Sequence, residues 1–109
     1  MDIMDSYRSK VKIQLYETSM NDLCTKLDIL DIPYKRRKLY NGFQIIIEEI
    51  DSDVIIHEFS YGNELGLFEC QGDLMLTEDE RMMDSVRGHL TADEVVKRIK
   101  KAINVVLLK

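Results

Sequence analysis

Along this chain the spacing between apolar positions changes from three and four residues to two and back again, and the changes mark its elements. From Ser19 onward, Ser19-Met20-Asn21-Asp22 places a capping hydroxyl three residues before an acid. Leu23, Leu27 and Leu30 then recur at helical spacing until Ile32-Pro33 ends the run. Upstream, Tyr7, Val11 and Leu15 share one helix face, whereas Val11, Ile13 and Leu15 also alternate with Lys12 and Gln14 as in a strand. Both readings fit, and helix is favoured.

The middle of the chain reads as a meander. Asn41-Gly42 lies between Tyr34–Tyr40 and Phe43–Ile50 and is the strongest short-range signal for a tight hairpin. For the second turn, the register that gives each face a consistent character is a three-residue loop at Asp51-Ser52-Asp53. It pairs Ile50 with Val54, Ile47 with His57, Ile45 with Phe59 and Phe43 with Tyr61, and it makes Phe43, Ile45, Ile47, Ile55, Phe59 and Tyr61 a core face. Gly62-Asn63 marks a further turn, and Leu65 to Gln71 is apolar enough for a third or fourth strand.

Two capping boxes follow. Thr77 and Glu80 have the spacing for a short helical turn, and Thr91-Ala92-Asp93-Glu94 is the clearest helix start in the chain. After it, Val95, Ile99, Ala102, Ile103 and Val106 line one side while Lys97, Arg98, Lys100 and Lys101 occupy the rest. The β-prone Val105-Val106-Leu107-Leu108 predicts that this helix stops near Asn104 and gives way to an extended tail. The expected fold is a single α+β domain over residues 1–109, an antiparallel meander of three to four strands packed against N-terminal and C-terminal helices.

Composition supports one folded domain and narrows its setting. The chain has 109 residues, 45% hydrophobic and 32% charged, with one proline and five glycines, so no flexible linker divides it. The longest apolar run, Val105 to Leu108, is far too short to cross a bilayer. Met1–Ser6 lacks the basic-then-apolar order of a secretory signal, so a cytoplasmic protein is expected, with Cys24 and Cys70 as reduced thiols. The net charge of −5 is unevenly spread: residues 43–94 carry two basic against fourteen acidic side chains, and residues 95–109 carry five basic and no acidic ones.

Candidate chemistry is thin. Cys70 and His57 could act as nucleophile and base of a small cysteine-dependent hydrolase, but residue type is the whole of that signal. Cys24, Cys70, His57 and His89 form no pair spaced to hold a metal on one element, so neither metal nor cofactor is expected. The five glycines build no phosphate-cradling loop. Lys35-Arg36-Arg37-Lys38 between Tyr34 and Tyr40 suggests a nucleic-acid strand, yet the same charges protect a sheet edge from aggregation, and the acidic total argues against nucleic acid.

The acidic block supports a sharper reading. Carboxylates on alternate strand residues are roughly 7 Å apart, like successive phosphates on one DNA strand, and can occupy a basic cleft. Glu48, Glu49, Asp51, Asp53 and Glu58 are read as clustering around one hairpin end, and they are the candidate partner-binding residues. A protein partner is therefore expected rather than catalysis, and the long N-terminal segment and the second, partly apolar sheet face admit a homodimer.

Leu39–Ile45, Phe59–Gly62 and Asp84–Val95 together resemble small uncharacterised phage and mobile-element proteins of Gram-positive bacteria, over roughly residues 32–98. The resemblance implies a bacterial or phage cytosolic protein with an accessory or anti-defence binding role. It carries over no catalytic residue.

Overall fold

A computed structural model of the chain describes residues 3–108, with side chains described from Tyr7 onward. The order is α1 (Ile3–Ile29), β1 (Lys35–Leu39), β2 (Gly42–Ile47), β3 (Ser52–Ile56), β4 (Phe68–Gln71), α2 (Glu78–Met83), β5 (Val86–Leu90) and α3 (Ala92–Leu107). The five strands form one antiparallel sheet in sequential order, with β1 and β5 at its edges. The α+β meander with a helix at each end of the chain is thus as expected, but the sheet has one strand more than the three to four foreseen.

Burial follows the two-residue period of the strands. Phe43, Ile45 and Ile47 of β2 face inward and pair with Ile56, Val54 and Ser52 of β3. Phe68, Cys70 and Leu90 extend that face. Tyr16, Met20, Leu23 and Leu27 of α1 and Val95, Ile99 and Ala102 of α3 close over it, all at 1% exposure or less. Both capping boxes form. Thr77 and Thr91 each accept from the amide three residues on, and Glu80 and Glu94 each accept from the threonine amide.

The second hairpin departs from the expected register. The chain leaves β2 at Ile47, makes a 3₁₀ turn over Glu48–Ile50, and closes it with Asp51 in the left-handed region at φ 48°. Ile47 therefore pairs with Ser52, not His57, and Ile45 with Val54, not Phe59. Turning inward buries Ile50 to 2% exposure beneath α3. Face consistency could not decide the matter, because Val54, Ile55 and Ile56 are apolar on both faces of β3. Phe59 and Tyr61, assigned to the core, lie in the β3–β4 connection at 68% and 52% exposure.

Three further expectations change. The first hairpin turns on Tyr40 and Asn41, at φ 44° and 60°, and Gly42 is the first residue of β2. Gly42 is needed there for contact rather than for the turn: a Cβ would sit 2.1 Å from the Ile56 carbonyl oxygen. Leu65 belongs to a 3₁₀ turn (Asn63–Leu65), so β4 starts only at Phe68, while the unforeseen β5 pairs with β4 through a bulge that places His89 at φ 59°. Finally, α3 continues through Val105 to Leu107, since one face of its last turns still packs through Ala102, Ile103 and Val106.

Candidate functional site

The five acidic candidates divide between the two ends of the sheet. Glu48, Glu49, Asp51 and Asp53 lie at or beside the β2–β3 turn. Glu58 follows the other end of β3, where its amide donates to the Tyr40 carbonyl at 3.4 Å and its carboxylate accepts from Asn41 Nδ2 at 3.2 Å. The single cluster is corrected accordingly, because the shortened β2 moves the turn away from Glu58.

Two members of the turn group are engaged within the sheet. Glu48 Oε1 lies 2.7 Å from Lys35 Nζ, which pushes the lysine pKa up. Asp53 Oδ2 accepts from Gln44 Nε2 at 2.9 Å, and Gln44 Oε1 in turn accepts from Arg37 Nε, a polar ladder across β1, β2 and β3. Glu49 and Asp51 are exposed. The basic run is also drawn inward: Arg36 donates to Asn21 Oδ1 at 2.8 Å and stacks 4.6 Å from the centre of the Phe43 ring. Its position on edge strand β1 suits edge protection.

Cys70 and His57 are not brought together. Cys70 is fully buried opposite Val54, its Sγ 4.0 Å from the Met75 carbonyl, and burial pushes the thiol up to about 11, far from a thiolate at neutral pH. His57 lies three residues beyond Val54, about 10 Å along the chain. Burial lowers its pKa, and its Nδ1 accepts from the Phe59 amide at 3.1 Å, which leaves the proton on Nε2. Among the described residues, no three His, Cys, Asp or Glu side chains are placed to hold a metal ion.

The most distinctive surface is the sheet end that carries the Tyr40-Asn41 turn. Tyr40 meets His57 edge-on with ring centres 5.3 Å apart, and it meets Phe59 in the same way at 5.4 Å. Tyr40 and Phe59 are 60% and 68% exposed. Beside them, Phe59, Tyr61, Glu64, Leu65 and His89 line a hollow of about 340 Å³. The β3–β4 connection that carries these side chains is tied down from beneath. Buried Glu69 accepts from the Tyr61 amide at 3.1 Å, the Tyr16 hydroxyl donates to Asn63 Oδ1 at 2.7 Å, and the His89 amide donates to the Tyr61 carbonyl at 3.2 Å.

This end therefore presents Tyr40, Phe59, Tyr61 and Leu65 from a fixed backbone, with the exposed carboxylates of Glu58 and Glu64 among them. Rigid aromatic anchors beside charge suit protein contact, and they contain no nucleophile and base pair. Sequence reasoning missed the surface because the three-residue loop at Asp51-Ser52-Asp53 pairs Phe59 with Ile45 and Tyr61 with Phe43, on the core face, a register the structure does not have. The tight Ser60-Tyr61-Gly62-Asn63 segment, rich in turn formers, was the signal that a loop rather than a strand holds them. Comparison with protein-family models, curated proteins and solved structures finds no match to this chain.

Proposed function

We propose that the protein works by protein binding, without chemistry of its own, as an accessory factor of a phage or mobile element with an anti-defence role. The observation that carries this reading is the exposed Tyr40–Phe59 pair, held beside Glu58 and Glu64 on a hydrogen-bonded loop. The ring faces supply contact area at small entropic cost, and the carboxylates select a partner segment that is apolar and basic. Glu49 and Asp51, at the far end of the sheet, serve this reading only as a soluble flank.

A photo-crosslinking phenylalanine analogue at position 59, in protein expressed in Gram-positive cells, tests the proposal, with the same probe at position 49 as the control. A protein adduct is expected from position 59 and not from position 49. The substitution Tyr40→Asn should abolish that adduct while holding folding stability within about 1 kcal/mol, because asparagine relieves the left-handed strain while losing the ring contacts. No adduct from position 59, or adduct formation indifferent to Tyr40→Asn, overturns the proposal.

A further inference from the structure

Among the described residues, the side chains of Tyr7 to Lys12 in α1 are covered by no other element. At 1.5 Å per residue this 27-residue helix is about 40 Å long, whereas strands of five residues span about 17 Å. The mismatch shows in the overall shape: the longest dimension is 54 Å, and the radius of gyration is 14.5 Å against about 13 Å for a compact chain of this length. The surplus length stands out at one end. Tyr16 and Ser19 are the α1 side chains hydrogen-bonded to the β3–β4 connection, and Ile13 and Glu17 lie by the Tyr40-Asn41 turn. Every residue from Tyr7 to Lys12 is exposed, so the arm projects past the aromatic sheet end.

The arm's chemistry complements the surface it overshoots. It carries Arg8, Lys10 and Lys12 with no acid between them, and it exposes Tyr7 at 64% and Val11 at 44% one helical turn apart on one face. The sheet end offers exposed aromatics and leucine with Glu58 and Glu64. The two surfaces are adjacent on one molecule, but a straight helix cannot fold back over the end beside which it emerges. A second molecule related by a two-fold axis can meet both at once.

Resting on the protein-binding role given above to the sheet end, we infer that the segment seated there is the basic arm of a second copy of this chain, so that two copies exchange arms. Tyr7 and Val11 of each arm pack on the partner's aromatic end, and the arm's cations face the partner's carboxylates. The protruding turns of α1, exposed on all sides in the monomer, are stabilised by that contact. The arrangement is isologous: each dimer contains two identical arm-to-end contacts.

Sedimentation velocity on the full chain at about 100 μM, where micromolar self-affinity gives mostly dimer, tests the inference. The parent is expected to be dimeric, less so as salt rises. Both Tyr7→Glu/Val11→Glu and Phe59→Glu should raise the dimer dissociation constant at least about tenfold. The altered side chains are exposed in the monomer, and far-ultraviolet circular dichroism confirms that each variant is folded. Mixing the arm variant with the end variant should restore dimer, since the arm of one and the end of the other form one unaltered contact. A symmetric contact of end with end, or of arm with arm, would not be restored by mixing and overturns the inference. A monomeric parent whose position-59 probe captures a different protein in cells overturns the exchanged arms and leaves the binding role of the sheet end standing. A parent whose probe captures no protein at all overturns both.

Discussion

Replacing Arg98 with methionine should weaken the fold in a pH-dependent way that the geometry around Glu80 fixes in sign and size. Arg98 Nη1 donates to Glu80 Oε1 at 2.6 Å and Nη2 to Glu80 Oε2 at 3.0 Å, joining α3 to α2, and Nη1 also donates to the Met75 carbonyl at 2.8 Å. Both side chains are largely covered, at 24% and 14% exposure. These hydrogen bonds, with help from the Thr77 amide and Arg87, hold the Glu80 carboxyl at about 2 against an ordinary 4.5. Because the folded value is the lower one, the stabilisation is fully present above about pH 5 and is lost as pH falls from 4.5 toward 2. The drop sets a ceiling of about 3 kcal/mol. Sharing among three partners and solvent screening near Arg87, itself half exposed, reduce the Arg98 part to about 1–2 kcal/mol. Losing the bond to the Met75 carbonyl costs about 1 kcal/mol more at any pH. Methionine keeps an apolar stem on α3 beside Leu74 and Met75. Urea unfolding should therefore show Arg98→Met less stable by about 2–3 kcal/mol at pH 7 and by about 1 kcal/mol near pH 2. An equal cost at both pH values would refute the ion pair as the source.

Two further substitutions probe the sheet. Gly42→Ala places a methyl 2.1 Å from the Ile56 carbonyl oxygen and 2.5 Å from His57 Cα, both backbone atoms that cannot rotate away, so a loss of at least about 2 kcal/mol is expected in thermal unfolding. A melting temperature equal to the parent's would contradict the close β2–β3 approach. Cys70→Ala should cost about 1 kcal/mol for the small cavity left under Met75 and leave protein binding intact; complete loss of activity in a folded Cys70→Ala protein would restore the thiol to a chemical role.

Local chemistry was legible in the sequence at several points but not at Ser19, which reads as a helix start yet lies inside α1 with its hydroxyl donating to the Gly66 carbonyl. The Thr77 and Thr91 capping boxes, the end of the first helix near Ile32-Pro33 and the hairpin near Asn41 all depend on contacts within about four residues. The second hairpin depends on where Ile50 finds cover, and that cover is α3, more than forty residues later in the chain. Val86-Arg87-Gly88-His89-Leu90 has two apolar residues and a glycine, and it is a strand only because the edge of β4 is open to it through a bulge. The candidate site suffered most from this non-locality. Glu58 was grouped with Glu48 by proximity in sequence, whereas five residues of β3 carry it to the opposite end of the sheet.

The choice of residue at position 40 bears on the proposed binding role. Asn41-Gly42 could itself have formed the two-residue turn, with asparagine and glycine in the left-handed positions they tolerate best. Sliding the turn by one residue would shift β1 by two residues along β2, moving Arg36 from opposite Ile45 to opposite Ile47 and so away from Phe43, and would take Gly42 from the one place where its missing Cβ lets β2 approach β3. The turn therefore falls on Tyr40 and Asn41, and a bulky side chain takes φ 44°. Among the described residues, the other non-glycine residues at positive φ are Asp31, Asn41, Asp51, Ser85 and His89, whose polar side chains can bond locally or whose type is enriched in that region. Tyr40 has neither advantage. Its contacts with His57 and Phe59 offset roughly 1 kcal/mol, about what the strained backbone costs, so stability alone gives no reason to prefer tyrosine to asparagine. A tyrosine strained at no net gain to the fold, and 60% exposed beside another exposed ring, is what the proposed binding role calls for, since the ring then serves contact with a partner rather than stability.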